Sequence, residues 1–514
     1  MSNDNGRIYN SFRNVSTSLL VQVFNLIIVF ISRTVFIRTL GVEYLGISGL
    51  FTSILTILSL GELGIGEAIT FALYKPIKNG ETDKINILMN IFRKFYSMTS
   101  LIIFIGGIVT LPFLDEIIGS VHTVGNIRSI YLLFIINSSI SYLFSYNKIL
   151  LIADQKAYKT SIVDFACSLL LNLFQIIVLF IFRSYIFYLI LQVTFTLLQN
   201  IVIFLMTKNE YSTIYRTNIA SGSLEKEEKK SLERNIKSLM IQKIGSVTTQ
   251  GIDNIIITNI ISVSTTGLLS NYNLLLNYIT KFVNVFFTGI SASVGNLVAE
   301  GNSKKMLNLF YIIYFSTKVV YSIISIILIN VIDDFIMVWI GNEFLLPKLT
   351  IYIIVLNFYF MGVRHSINVF KNGLGLYWYD RYKPLISAFI NIIFSVILGN
   401  IMGITGVLVG TSISLITVNL WIEPYVLFKY GFKTSHVNFI KLFFTDSIKM
   451  IITSLIFNFI FSIIEINPNL ITIFLKVIVI TISMTAYYFF AYRKNKEFEY
   501  FNTIFKNLKE KIMK

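Results

Sequence analysis

Arg33, Lys281 and Arg364 are each set in long apolar runs, and Glu62, Glu67 and Asp253 stand in runs of the same kind. A charge at bilayer depth costs about 2.5–3.5 kcal/mol on insertion scales, so such residues face a protein interior or a wet cavity. Arginine grips phosphate oxygens through parallel N–H donors, and lysine offers a compact positive charge. The set therefore fits a polar cavity of cationic character that binds an anionic group. Intramembrane pairing, for example of Arg33 with Glu62 or Glu67, is the competing reading and needs no ligand. Lys318, Lys476, Asp164 and Glu423 stand nearer the ends of their runs, where snorkelling or local pairing is expected. The glycines of Leu60-Gly-Glu-Leu-Gly-Ile-Gly66 allow either close helix packing or a bend.

Covalent chemistry has little to work with. Cys167 is the lone cysteine, which removes disulfide frameworks and cysteine-ligated metals, and His122, His365 and His436 are scattered too widely to suggest a metal centre. There is no phosphate-binding loop of the Gly-x-x-x-x-Gly-Lys-Ser/Thr type, so ATP hydrolysis is not expected. Asp333-Asp334 reads as a solvated turn in an outside loop. No catalytic set emerges, and the chain is read as a non-enzyme without a resident cofactor.

The elements that carry these charges follow from composition. The 514 residues are 55% hydrophobic and 14% charged, where a soluble chain carries about 25% charged residues. A spanning helix needs about 20 apolar residues. Such runs fall at 15–37, 45–72, 95–114, 128–151, 161–182, 185–206, 238–262, 268–294, 308–332, 347–370, 384–402, 404–428, 440–464 and 469–491. The fold class is thus an all-α polytopic membrane protein of about 14 helices. Continuous runs such as Tyr321 to Ile332 do not alternate in polarity, which argues against a transmembrane β-barrel. The first run lacks a small-residue cleavage site and reads as a retained helix.

Most of the 43 lysines and arginines fall on one side when the N-terminus is placed in the cytoplasm, which puts both termini inside. The net charge of +16 is then mainly a topological signal, and no nucleic acid is expected as a partner. The polar stretch between the sixth and seventh runs divides the chain into an N-lobe at 1–206, a cytoplasmic linker at 207–237 and a C-lobe at 238–428. Two further helices occupy 429–491. The tail at 492–514 has Phe498, Phe501, Phe505, Leu508 and Ile512 at helical spacing, as an amphipathic surface helix would. Two six-helix lobes are expected to be parallel repeats. A faint internal match agrees: aligning Arg13-Asn14 with Arg234-Asn235 also sets Val42 on Val263 and Gly46 on Gly267.

Several stretches, in order, resemble the Wzx-type polysaccharide-repeat flippases of the multidrug/oligosaccharidyl-lipid/polysaccharide (MOP) exporter superfamily. They are Arg33-Thr-Val-Phe-Ile-Arg-Thr-Leu-Gly-Val-Glu-Tyr-Leu-Gly-Ile-Ser-Gly-Leu50, Gly295-Asn-Leu-Val-Ala-Glu-Gly301, Gly403-Ile-Thr-Gly-Val-Leu-Val-Gly-Thr411 and the segment from Asn368 to Pro384. Asp380-Arg-Tyr-Lys-Pro384 is the most specific part. The resemblance implies two six-helix bundles around a central cavity that opens alternately to each membrane side. It also implies transfer of undecaprenyl-pyrophosphate-linked oligosaccharide from the inner to the outer leaflet of a bacterial cytoplasmic membrane, for capsule, exopolysaccharide or a related polymer. Arg33, Lys281 and Arg364 would hold the pyrophosphate, with Glu62 and Glu67 orienting them or gating the cavity.

The related lipid II flippases imply a cation site, onto which Asp253, Asn391 and Thr411 map in type and Val407 as a carbonyl. Ser395 stands where a second acid would be, so coupling to Na+, to H+ through Asp253, or to neither stays open. Lipid-linked oligosaccharide and membrane lipids are the expected partners, with polysaccharide polymerase and chain-length machinery beside them. The alternative is an ion-coupled multidrug exporter of organic cations on the same fold, whose cavity should be acidic and aromatic. A third reading is a non-transporting assembly scaffold.

Overall fold

A computed structural model describes residues 2–59, 65–118, 125–212, 251–300, 303–464 and 467–495, with single positions at 230, 233, 236, 240 and 245. Helices are the only regular elements among the described residues. Eleven of these helices are long and apolar enough to cross a membrane, and the shorter Val42–Leu58 is apolar as well. This is a multi-pass helical membrane protein. The described residues of the second expected run, 45–72, fall in Val42–Leu58 and Ile65–Asn79, apart from Ser59. The linker expected at 207–237 is described to 212 and at 230, 233 and 236, and the tail beyond 495 lies outside the described residues.

Asp333-Asp334 departs from the expected loop turn. Both acids lie within the Ser303–Trp339 helix, which continues through Phe335-Ile-Met-Val338 because that stretch keeps an apolar face. Lys476 Nζ meets Asp334 Oδ2 at 2.6 Å, and the Tyr272 hydroxyl donates to Asp333 at 3.4 Å. The ion pair to Asp334 makes a half-buried helical turn tolerable where full solvation was expected.

The chain forms two compact units, Met1–Asn271 and Tyr272–Lys514. In the first, Ile127–Ala153 packs against Thr82–Thr110 and Tyr185–Glu210, and Ser2–Leu40 packs against Ala157–Phe182. Phe51 reaches this core between Tyr131 and Phe134, with ring centroids 4.7 and 5.6 Å away. Gly41, at φ +95°, separates Ser2–Leu40 from Val42–Leu58.

The internal match has a geometric counterpart in this unit. Helices begin at both Val42 and Val263. A Cβ on Gly46 would run into the Val263 carbonyl, and one on Gly267 would run into the Val42 carbonyl. Two copies of the same Val-x-x-x-Gly pattern thus cross reciprocally, each glycine clearing space for the other's first turn. Asn254, aligned with Arg33 in this register, donates to Ser53 at 3.0 Å.

In the second unit the tightest pairing is a helical hairpin, Lys383–Met402 against Ile404–Ser414. It turns at Gly403, whose φ of 60° and ψ of −140° suit a residue without a Cβ. Side chains at Gly406 and Gly410 would overlap Leu398 and Ser395, so the two backbones are in contact. The second arm continues to Phe432 through two π-helical segments, Leu415–Asn419 and Leu427–Phe432, which flank the turns carrying Pro424. Proline lacks the N–H for the i−4 carbonyl and crowds it, a physical cause for local irregularity. Glu423, next to Pro424, is fully buried there.

Candidate functional site

Arg33 lies in the apolar stretch Val21–Leu40. Its Nε donates to Asn271 Oδ1 at 3.0 Å and its Nη2 to Ser270 Oγ. Tyr185 and Tyr188 stand beside the guanidinium and pack on Phe36, with centroids 5.4 and 5.2 Å from it. Among the described residues no carboxylate comes within ion-pair distance of Arg33. Neutral oxygens and aromatic rings orient this cation without cancelling its charge, which is how a protein presents a cation to an anion in a medium of low polarity. The Nδ2 of buried Asn271 has no hydrogen-bond partner among the described residues, so a second donor stands next to the guanidinium. Sequence reasoning found Arg33 and missed Asn271, Ser270, Tyr185 and Tyr188. Asn271 falls in the aligned second helix of the internal match, a signal that was available.

Lys281 is exposed, with Nζ 4.9 Å from the Tyr278 ring centroid. Arg364 has a different setting. It occupies the turn between Lys348–Val363 and His365–Gly373, with Nε and Nη2 on the two Glu423 oxygens at 2.8 and 2.7 Å. Lys383 binds the same carboxylate, and Asp380 takes Lys371 closely with Lys383 at 3.7 Å. Three cations and two acids form one buried cluster. It joins the 374–382 connection to the Pro424 region, with bidentate geometry compensating the desolvation of Arg364 and Glu423. Asp380 and Lys383 belong to the stretch quoted for the family resemblance. Their burial could not be read from a segment that looks like a polar loop.

The side chains of Glu62 and Glu67 lie outside the described residues, so the Arg33 pairing suggested for them is neither seen nor replaced. The pairing expected for the other charges near span ends is present. Lys318 meets Asp446 at 3.2 Å, and Lys148 meets Asp164 at 2.5 Å, where Gln199 also donates at 2.7 Å.

Four of the five residues assigned to a cation site come together in the hairpin. Asn391 Nδ2 donates to Thr411 Oγ1 at 2.9 Å and to Ser395 Oγ at 3.4 Å, and Ser395 Oγ donates to the Val407 carbonyl at 2.9 Å. Asn391 and Ser395 are fully buried, and Asn391 Oδ1 has no partner among the described residues. Asp253 belongs to the other compact unit. The four supply hard oxygen donors suited to a small monovalent cation and no carboxylate. Among the described residues no cluster of histidine, cysteine and acids could hold a transition metal.

Neither a protein-family model nor a curated protein matches the chain. Solved structures do. A lipid II flippase, MurJ, in an inward closed conformation is 18% identical and superposes with a TM-score of 0.62 over 92% of this chain and 98% of its own. An inward-facing multidrug resistance MATE family transporter of the MOP superfamily is 13% identical, with a TM-score of 0.55 over 80% of this chain and 98% of its own. A mutant form of the Vibrio cholerae MATE transporter VcmN is 12% identical, with a TM-score of 0.55 over 84% of this chain and 99% of its own. At such identities the likeness speaks for the fold alone, which this chain shares with these flippase and MATE transporter structures.

Proposed function

We propose that the protein is a flippase of the Wzx type that moves undecaprenyl-pyrophosphate-linked oligosaccharide from the inner to the outer leaflet of a bacterial cytoplasmic membrane. It would do so by alternating access, with both termini in the cytoplasm, in the service of capsule, exopolysaccharide or a related polymer. The observation that carries this reading is Arg33, a cation within an apolar helix whose described partners are neutral. Such a group favours a phosphate over an organic cation. On this reading Arg33 is the principal head-group ligand, and Lys281, the other cation assigned to the cargo, is exposed. Arg364 contributes only where its carboxylate partner lets go, since two of its donors are on Glu423.

Flipping leaves every covalent bond of the cargo intact, so the task is to lower the cost of a pyrophosphate crossing hydrocarbon. A guanidinium held at depth by Asn271 and Ser270 is already oriented, and it reorganises little when the anion arrives. The reading extends to coupling. The oxygens of Asn391, Ser395, Val407 and Thr411 would hold Na+, and a bound ion would supply a charge that favours one packing of the hairpin over another. None of the four titrates near neutral pH, so proton coupling would fall to Asp253.

The test is replacement of chromosomal Arg33 by Gln in the host, followed by quantification of lipid-linked oligosaccharide in the membrane and polymer at the surface. Accumulated lipid-linked repeat with lost surface polymer, at normal protein abundance, supports the reading. Unchanged pools and polymer overturn it, and hypersensitivity to organic cations would then favour the multidrug exporter.

A further inference from the structure

Four membrane-crossing helices of the second unit have an end in one small region: Lys348–Gly373, Lys383–Met402, Ile404–Phe432 and Val437–Ile463. Their connections, 374–382 and 433–436, are therefore at the depth where hydrocarbon gives way to head groups. The aromatic residues here are exposed. Trp378, Tyr379 and Tyr382 each show about half of their surface, and Tyr425 and Tyr430 are 38% exposed.

The cations of this patch are held by rings. The Arg381 guanidinium lies 3.9 Å from the Trp378 ring centroid and 4.6 Å from that of Tyr382, and it donates to the Trp378 carbonyl at 2.8 Å. Lys429 Nζ donates to the Tyr425 hydroxyl at 2.5 Å and sits 4.9 and 5.3 Å from the Tyr425 and Tyr430 centroids. Tyr379 stacks on Tyr430 with centroids 3.9 Å apart, tying the two connections together. Lys433 follows, at φ +58°. Asp380 and Glu423, the acids of these segments, are buried beneath the patch on Lys371, Lys383 and Arg364.

An aromatic face fixes a cation by its quadrupole and leaves the net charge in place, whereas a carboxylate cancels it. Tyrosine and tryptophan at this depth seat the surface among head groups, and basic residues beside a span attract anionic lipids. The geometry points to a binding site for the head group of an anionic phospholipid on this patch, with Arg381 and Lys429 as its ligands and Trp378, Tyr382, Tyr425 and Tyr430 as their supports. The patch uses none of the residues assigned to the cargo, and the inference stands whether or not the flippase reading does. Its consequence is a protein whose second unit is anchored by a lipid of chosen charge.

The experiment uses the full chain with Trp339→Phe and Trp421→Phe, leaving Trp378 as the reporter, in nanodiscs of equal phosphatidylcholine and phosphatidylglycerol with one or the other brominated. A companion chain keeps only Trp421, a half-exposed residue of the Ile404–Phe432 helix outside the patch. Quenching at Trp378 is expected to give a relative binding constant of about fivefold in favour of phosphatidylglycerol at low salt. It should fall to about one in Arg381→Gln/Lys429→Gln and in about 1 M salt, with Trp421 near one throughout. Equal quenching of Trp378 by the two lipids in the unsubstituted patch would overturn the inference. So would a preference that survives the double substitution.

Discussion

Arg33 and Arg364 have the same side chain, and each sits in an apolar helical stretch, yet their surroundings are opposite. Arg33, in the first unit, is held by an asparagine, a serine and neighbouring tyrosines. Arg364, in the second, shares Glu423 with Lys383 inside a five-residue ionic cluster. The first arrangement leaves the charge uncancelled by its described partners, as the proposed role of ligand for an anionic head group requires. The second uses its charges on each other, so it serves the fold, gripping the 374–382 connection to the helix that contains Pro424.

The largest effect should come from breaking the cluster. Glu423→Gln leaves Arg364 and Lys383 buried without their shared carboxylate and is expected to cost about 3–5 kcal/mol, read as a fall in Tm and in membrane abundance. Replacing Arg364, Lys383 and Glu423 together by Leu, Met and Leu should restore most of that stability, because similar apolar volume often substitutes for a buried ionic group. A triple variant as unstable as Glu423→Gln would show that the cluster is more than mutual neutralisation.

Arg33→Gln sharpens the other side. Its partners are neutral, so stability, read from the Tm, is expected to stay within about 1 kcal/mol of the parent, while surface polymer falls at least about tenfold. Arg33→Lys should recover only part of the export, since an ammonium cannot offer two parallel donors. A large loss of stability in Arg33→Gln would return Arg33 to a structural role and dissolve the contrast.

A smaller effect is expected at the hairpin. Ser395→Ala removes one of four clustered oxygens and should reduce any rise in Tm produced by Na+ over K+, with little change in the absence of Na+. A sodium-induced rise that survives the substitution would detach Ser395 from cation binding.

The smallest belongs to Lys156, half-exposed between Asp154 and Glu210, each 2.6 Å away. Burial pulls its pKa down, but hydrogen bonds to those acids outweigh it and leave the group raised. A raised lysine contributes stability below its ordinary titration range and loses it as pH climbs through the folded-state value. Lys156→Gln should therefore cost less than about 1 kcal/mol at neutral pH, with the difference shrinking only in strongly alkaline buffer. Tm measured from pH 7 to 11 would check it.

Much of this molecule is readable from its residues alone. The long apolar runs announce the membrane helices, because a backbone in hydrocarbon has no other way to satisfy its polar groups. Leu470–Tyr492 and Ile127–Ala153 fall within a few residues of the expected spans. Arg33 stood out because a charge in such a run is costly and needs a reason, and Gly46 and Gly267 because they repeat in register. The gathering of Asn391, Ser395, Val407 and Thr411 was accessible only through resemblance, since nothing in those residue types announces a site. What composition and periodicity could not reveal is partnership. Arg33 and Arg364 are indistinguishable in one dimension, and Asp333-Asp334 looked like a turn until Lys476 was found beside Asp334. The energy of a buried charge is set by what lies within a few ångströms, and residues as far apart in the chain as Arg33 and Asn271, or Arg364 and Glu423, acquire that closeness only when the helices pack.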